Sequence, residues 1–151
     1  MPLSFLCLMD DADGMDARRW LSRAKAVHRQ LRDQLPPEND AYRETLERIF
    51  ANGGHLCLAV EDSAVRGLAL WRVLENTQEG RRLYVDDLVA DAAHRSQGVG
   101  KALIGWLENR ARLLSCAALA LDSGVQRGDA HRFYFREGFV IPSFGFRKNL
   151  S

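Results

Sequence analysis

A glycine-spaced turn between an apolar run and an amphipathic helix is the feature that most constrains this chain. The apolar run ends at Val89, the turn reads R-S-Q-G-V-G from Arg95 to Gly100, and helical spacing begins near Gly98. Glycines let backbone N–H groups converge, and a helix start adds unpaired N–H groups and the positive end of its dipole. The order strand, turn, helix therefore predicts an anion site, most naturally for a pyrophosphate, with Arg95 and Lys101 adding charge at its rim.

Two familiar nucleotide-binding motifs do not fit this turn. A P-loop requires a serine or threonine after its glycine and lysine, whereas Gly100 and Lys101 are followed by Ala102, which offers no hydroxyl for magnesium. The dinucleotide fingerprint G-x-G-x-x-G has a different glycine spacing. The turn thus predicts phosphate binding without naming the nucleotide.

Composition restricts the class of protein and its partners. The 151 residues are 46% hydrophobic and 27% charged, which predicts a single globular domain over residues 1–151. The formal net charge is +1 and the basic residues are dispersed, so we expect no nucleic-acid partner. Cys7, Cys57 and Cys116 are far apart among apolar neighbours, which favours buried thiols and a cytoplasmic location. We expect neither a metal site nor a membrane span, because the histidines lack ligand spacing and no apolar run is long enough.

Hydrophobic periodicity predicts alternating helices and strands. The predicted helices are one that ends before Pro36, one from about Asp40 to Ala51, one opening near Gly98, and one from about Gly128 to Arg136. The predicted strands are Pro2 to Met9, a hairpin of His55 to Glu61 and Val65 to Leu74, Arg82 to Ala90, Ala117 to Leu121, and one or two strands within Phe139 to Ile141 and Phe144 to Lys148.

Two segments of the second half resemble the GNAT superfamily of acyl-CoA-dependent N-acetyltransferases. The segment L-Y-V-D-D-L-V-A-D-A-A-H-R-S-Q-G-V-G-K-A-L, from Leu83 to Leu103, resembles the strand and pyrophosphate loop of the family. The segment A-H-R-F-Y-F-R-E-G-F, from Ala130 to Phe139, resembles its final helix and following strand. The resemblance implies an α/β fold of the α+β type, with a mixed, bent central sheet whose central strands splay apart and are flanked by helices.

The resemblance also implies acetyl-CoA as cosubstrate and no metal. Backbone groups of Leu88, Val89 and Ala90 would pair with the pantetheine arm. The residues implied for the pyrophosphate and its rim are Arg95, Ser96, Gln97, Gly98, Val99, Gly100 and Lys101. Ser96 and Gln97 depart from the glycine and the basic residue common there. Arg127 stands where many members have asparagine, so it could reach the 3′-phosphate of CoA or be a solvated surface charge.

The implied chemistry is direct attack of an amine on the thioester carbon, with the Val89 N–H stabilising the oxyanion and Tyr134 protonating the departing thiolate. An alkylammonium must first lose a proton, which costs roughly 4 to 5 kcal/mol at pH 7. Asp86 and Asp87 are the candidate bases. We favour Asp86, because adjacent strand residues face opposite sides and only one can face the site, and a salt-bridge role is more expected of Asp87. Asp122 and Glu61 are further candidates for the base.

The resemblance therefore implies an N-acetyltransferase whose acceptor is a small cationic amine, such as a polyamine, or a protein or peptide amine. A non-catalytic acyl-CoA-binding or sensing domain is the alternative, since a fold can keep a cofactor loop after losing its chemistry. We also expect a homodimer, with Phe144, Phe146 and Leu150 as contacts. The alternation of Phe144, Phe146 and Lys148 equally suits a last strand that covers the core of its own chain.

Overall fold

The computed structural model describes residues 2–8, 14–95 and 97–151, in two compact units, residues 1–120 and 121–151. The strands are β1 (Ser4–Cys7), β2 (His55–Glu61), β3 (Ala64–Asn76), β4 (Gly80–Ala90) and β5 (Ala118–Leu121). The helices are α1 (Gly14–Leu31), α2 (Asn39–Ala51), α3 (Val99–Leu113) and α4 (Gly128–Arg136), with a short 3-10 turn at Ala92–His94. That residues 1–151 form one domain stays a prediction.

The strands form one sheet in the order β1-β2-β3-β4-β5, and the first four are antiparallel neighbours. The expectation of a mixed α/β fold, with a sheet flanked by helices, is confirmed. The β2–β3 hairpin turns at Asp62 and Ser63, which both have positive φ. The first helix ends at Leu31 and not just before Pro36 as expected. Leu35 is disfavoured in a helix because it precedes Pro36, and its carbonyl oxygen instead accepts from Arg29 Nε at 2.9 Å.

The strands expected within Phe139 to Ile141 and Phe144 to Lys148 are wrong, because residues 137–151 contain no strand. An isolated strand needs a paired neighbour to satisfy its backbone, and none lies beside this segment in the structure's described residues. Phe144 and Phe146 in this segment are 83% and 97% exposed.

The two faces of the sheet bury different helices. One face packs under α1 and α2, in a cluster that includes Leu21, Tyr42, Leu46, Leu58 and Leu70. On the other face, Trp71 lies 6.0 Å, centroid to centroid, from Trp106 of α3. Adjacent residues of β3 thus point to opposite faces, as the strand period requires.

A β-bulge interrupts the pairing of β3 with β4 at the acidic pair. Leu70 is opposite Asp87 and Trp71 is opposite Val85, so Asp86 is an extra residue on β4. Because directly opposed residues share a face, Asp87 lies with Leu70 on the face of α1 and α2, whereas Val85 lies with Trp71 on the face of α3.

β5 runs beside only the first part of β4. Ala117 N donates to Arg81 O at 2.8 Å, and β5 has four residues whereas β4 has eleven. At about 3.3 Å per residue, four residues span roughly 13 Å, whereas Leu88 lies about 23 Å along β4 from Arg81. Leu88, Val89 and Ala90 are therefore paired with β3 on one side and extend past the reach of β5 on the other.

Candidate active site

The turn before α3 has the geometry of an anion site. Gly98 is the N-cap with φ of +81°, a left-handed conformation that favours glycine, and no side chain caps the helix. The first helical bond runs from Ala102 N to Gly98 O at 2.9 Å, so the N–H groups of Val99, Gly100 and Lys101 have no partner within the helix. These amides and the helix dipole suit the pyrophosphate of CoA. Ser96 lies outside the described residues.

The buried side chain of Val99 anchors this helix start to the sheet at Gly67 of β3. A Cβ on Gly67 would lie 2.7 Å from Val99 Cγ1, 2.9 Å from Val89 O and 3.1 Å from Leu103 Cδ1. Only glycine leaves room for α3 to approach the sheet this closely. The first turn of α3 is therefore held over β3, next to the residues that pair with Val89 and Ala90 of β4.

Polar contacts fix the residues that lead into the turn. Gln30 of α1 donates from Nε2 to Asp91 Oδ1 at 3.0 Å and accepts from Ala92 N at 2.8 Å. Asp91 N donates to Arg66 O of β3 at 2.8 Å. The bond from Gln30, opposed by burial and helped by bonds from the Ala93 amide and His94, holds the pKa of Asp91 below its ordinary value. The segment before the turn is thus tied to α1 through an ionised carboxylate and to β3 through the backbone N–H of Asp91.

The bulge brings both aspartates to the face of α1 and α2, so the expectation that they face opposite sides is wrong. Asp86 Oδ2 accepts from Arg72 Nε at 2.7 Å, and Arg72 is two residues from Leu70 on the same face. Asp87 Oδ1 accepts from Arg32 Nε at 2.8 Å. The expected salt-bridge role therefore applies to both aspartates, each with its own arginine.

Asp87 also ends a buried chain of hydrogen bonds. His28 Nε2 lies 2.7 Å from Asp87 Oδ2, and His28 Nδ1 lies 2.8 Å from the Tyr42 hydroxyl. Burial, and then the charge of Asp87, raise the pKa of Tyr42, so its O–H stays protonated and can donate to Nδ1. With Nε2–H donating to Asp87, both ring nitrogens of His28 and the hydroxyl of Tyr42 have partners. The network joins α1, α2 and β4.

Asp87 stays ionised inside this network. Burial, the largest effect on its pKa, raises it, but the hydrogen bonds of His28 and Arg32 and the charge of Arg32 together outweigh burial and lower the pKa. Asp87 is buried, whereas the Asp86 side chain is 30% exposed. Asp87 is therefore a buried carboxylate that fixes β4 against α1 and α2, whereas the Asp86 carboxylate is partly exposed.

Tyr134 belongs to the second unit and lies on α4. Its ring is 5.4 Å from that of Phe133 and 5.6 Å from that of Phe139, measured between centroids. Burial, partly opposed by the charge of Arg127, raises the pKa of Tyr134. The phenol is therefore protonated at neutral pH, as a proton donor must be. Arg127 is the exposed residue before α4.

The Acetyltransferase (GNAT) family model matches residues 18–139. The chain belongs to this family. Among curated relatives, it is 39% identical to the uncharacterized N-acetyltransferase YhdJ of Bacillus subtilis over 79% of this chain and 84% of that protein. It is 31% identical to glucosamine 6-phosphate N-acetyltransferase 1 of Oryza sativa subsp. japonica over 74% and 69% of the two chains. The match to the aminoalkylphosphonate N-acetyltransferase of Salmonella typhimurium is 38% identical over 44% and 43%.

A solved GNAT family acetyltransferase from Staphylococcus aureus superposes with a TM-score of 0.77 at 20% identity, covering 99% of this chain and 100% of that one, and this likeness shows the fold. This GNAT protein is an acetyl-CoA-dependent N-acetyltransferase, as the family match and its relatives establish. In residues 2–8, 14–95 and 97–151 there is no group of three or more side chains suited to a metal ion. No helix in that part of the chain is long and apolar enough to span a membrane.

Several residues that shape this GNAT site were missed by sequence reasoning. Gly67, Arg32 and Arg72 were not singled out, and His28 and Tyr42 were assigned only to apolar helix faces. The available signals were a glycine inside a strand, which indicates close backbone approach, and a histidine on an apolar stripe, which needs a polar partner. Of the reserve carboxylates, Glu61 pairs with Arg66 and Asp122 is exposed in the second unit.

Proposed function

We propose that this GNAT enzyme transfers the acetyl group of acetyl-CoA to the primary amine of a small molecule by direct attack. The observation that carries the proposal is the conjunction, within residues 1–120, of the uncapped helix start at Gly98 with an acidic bulge on β4. The first suits a pyrophosphate and the second a primary amine. Acetyl-CoA supplies the activated acyl group.

The turn holds the nucleotide end of acetyl-CoA. The amides of Val99, Gly100 and Lys101 take the pyrophosphate, with Gln97 and the left-handed Gly98 shaping the approach. The role of Ser96 stays a prediction from the sequence. The exposed side chains of Lys101 and Arg95 add positive charge at the rim. The remaining assignment, Arg127 to the 3′-phosphate of CoA, is supported by its charge and exposure.

The β4 backbone takes the pantetheine arm. Leu88, Val89 and Ala90 pair with β3 and extend past the reach of β5, which supports a free backbone edge there. The N–H of Val89 would stabilise the oxyanion that forms at the acetyl carbonyl.

Proton transfer is assigned to Asp86 and Tyr134. Asp86, directly or through a water, accepts the proton of the amine, because it is the more exposed member of the acidic pair. Asp87, also a candidate from the sequence, is here a positioning residue that fixes β4 against α1 and α2. As the amine nitrogen bonds to the acetyl carbon and the C–S bond breaks, Tyr134 gives its proton to the departing thiolate.

The acceptor is proposed to be a small amine rather than a protein tail. Two of the relatives are named for aminoalkylphosphonate and glucosamine 6-phosphate, both small molecules with a primary amine. A protein or peptide amine is the competing acceptor class, and a basic peptide belongs in any panel of acceptors for that reason.

Calorimetric binding followed by thiol release tests the proposal in one preparation. Acetyl-CoA and its analogue lacking the 3′-phosphate are titrated first, and release of CoA thiol is then measured with amino acids, aminophosphonates, amino-sugars, polyamines and basic peptides. Binding with release for a small amine supports the enzyme and its acceptor together. Binding without release for any amine supports the sensing domain instead, and absence of binding refutes the assignment of the turn.

We also propose a cytoplasmic homodimer. Cys7 and Cys57 are buried, and buried thiols suit a reducing compartment. Phe144, Phe146 and Leu150 are each more than 80% exposed, and exposed apolar side chains gathered in one short segment are typical of a contact surface. Light scattering over a range of protein concentrations tests this, and a concentration-independent monomer would refute it.

A further inference from the structure

We propose that the acceptor is a zwitterion: a small amine that also carries an oxyanion, with its ammonium group beside Asp86 and its oxyanion on the guanidinium of Arg32. This inference rests on the proposed function, since it names the acceptor class of the same site. A zwitterionic acceptor differs from the polyamine that the family resemblance of the acidic segment suggests.

The acidic pair is already neutralised by arginines. Asp86 Oδ2 is 2.7 Å from Arg72 Nε, and Asp87 Oδ1 is 2.7 Å from the Nη2 of Arg32. Two carboxylates and two guanidiniums leave no net charge at the bulge. A polyamine would bring two or more positive charges to a neutral cluster that already holds two cations, whereas a zwitterion adds no net charge.

Arg32 is a cation that hydrogen bonds hold in place on one side of its guanidinium group. Its Nε donates to Asp87 Oδ1, and its Nη2 lies 2.7 Å from the same oxygen and donates to the backbone oxygen of Asp86 at 3.1 Å. Its Nη1 makes no hydrogen bond within residues 2–8, 14–95 and 97–151, and its side chain is 43% exposed. An arginine that is fixed before binding loses little conformational freedom when it takes an oxyanion.

The buried network explains how this cation is fixed. Asp87 is held by His28, and His28 by Tyr42, and all three side chains are buried. They orient a guanidinium that emerges beside the candidate base, because Arg32 bonds to the backbone oxygen of Asp86 itself. The result is a carboxylate and an arginine next to each other and both partly exposed. That pattern matches an amine and an oxyanion on one small molecule.

Matched amines of similar length test the charge preference. The wild-type kcat/KM is measured for 2-aminoethylphosphonate, β-alanine, ethanolamine and 1,2-diaminoethane, and for glucosamine 6-phosphate beside glucosamine. We expect at least one oxyanion-bearing amine to exceed its neutral or dicationic counterpart by about 30-fold or more, because hydrogen bonds to charged groups are the stronger ones. The phosphonate and carboxylate members distinguish the two sources of oxyanion.

Arg32→Gln tests the residue, with Arg23→Gln as the matched control. Arg23 is on α1, which ends one residue before Arg32, but it donates to Ser63 O at the β2–β3 turn, roughly 13 Å along the helix axis from Arg32. In Arg32→Gln we expect the preference for the oxyanion to fall by about tenfold or more, with less than threefold change for the neutral amine and for acetyl-CoA affinity. Arg23→Gln should keep the wild-type preference.

Inhibition of the wild-type enzyme keeps the inference testable if Arg32→Gln does not fold. Methylphosphonate and acetate carry the oxyanion without the amine, and at least one should compete with the acceptor but not with acetyl-CoA. Any of four results would overturn the proposal of a zwitterionic acceptor. They are equal transfer to neutral and oxyanion-bearing amines, a preference for the diamine, an equal loss of activity for both classes in Arg32→Gln, and no competition by either anion. Failure of transfer to every amine would overturn the proposed function instead.

Discussion

Replacing Gly67 with alanine should weaken both the fold and acetyl-CoA binding through one contact. The new Cβ would lie 2.7 Å from Val99 Cγ1 and 2.9 Å from Val89 O. Reaching an ordinary carbon–carbon contact of about 3.5 Å requires roughly 0.8 Å of movement at Val99. Val99 is β-branched and has a stiff χ1 in a helix, and Val89 O belongs to a paired strand. The start of α3 must therefore move, because neither neighbour can turn aside.

The size of both effects follows from this geometry. Overpacking of this kind costs about 1 to 3 kcal/mol of unfolding free energy, which is about 2 to 4 °C of Tm for each kcal/mol in a domain of this size. The amides of Val99, Gly100 and Lys101 move with the helix start. Loss of one charge-assisted hydrogen bond to the pyrophosphate is worth about 1.5 to 3 kcal/mol, so the Kd for acetyl-CoA should rise by tenfold or more.

Calorimetric unfolding and acetyl-CoA titration measure the two effects on the same sample. Gly105→Ala is the matched control, because Gly105 lies inside α3 and a Cβ there would meet no atom within 4 Å. It should gain about 0.5 to 1 kcal/mol of stability from helix propensity and leave Kd unchanged. A Gly67→Ala protein that binds acetyl-CoA and unfolds like the wild type would refute the close contact between α3 and the sheet.

Three further predictions concern the polar groups. Asp87 has a lowered pKa, so its contribution to unfolding free energy is full above its unfolded-state pKa of about 3.9 and is lost as the pH falls through the lower folded-state value. Asp87→Asn should flatten that acid loss, as measured by urea unfolding at stepped pH. Tyr42→Phe keeps the ring but removes the donor to His28 Nδ1, and should cost about 1 to 3 kcal/mol in the same assay. Tyr134→Phe should lower kcat far more than acetyl-CoA affinity, and unchanged kcat in the variant would refute the assignment of Tyr134 as proton donor. Because the pKa of Tyr134 is raised, ionisation of Tyr134 should not lower the wild-type kcat below about pH 10.

The helices and the glycine turn can be predicted from the sequence because they depend on local hydrophobic spacing and backbone conformation. α4 spans Gly128–Arg136 as its periodicity predicts, and α3 opens directly after Gly98, since glycine supplies the left-handed φ that the cap requires. The end of the chain could not be predicted this way. The alternation within 144–148 predicts a strand, but a strand also needs a partner, and periodicity says nothing about whether one is available.

The acidic pair shows most clearly where strand periodicity stops being informative. Alternation assigns adjacent residues to opposite faces, but the one extra residue in β4 brings Asp86 and Asp87 to the same face. Once Asp87 lies under α1, a buried charge there needs partners, and His28 and Arg32 provide them. Arg32 can reach the bulge only because Asp87 faces it, so the bulge also decides that a cation lies beside the candidate base. The charge pattern offered to the acceptor therefore depends on a register shift that no property of the two aspartates alone reveals.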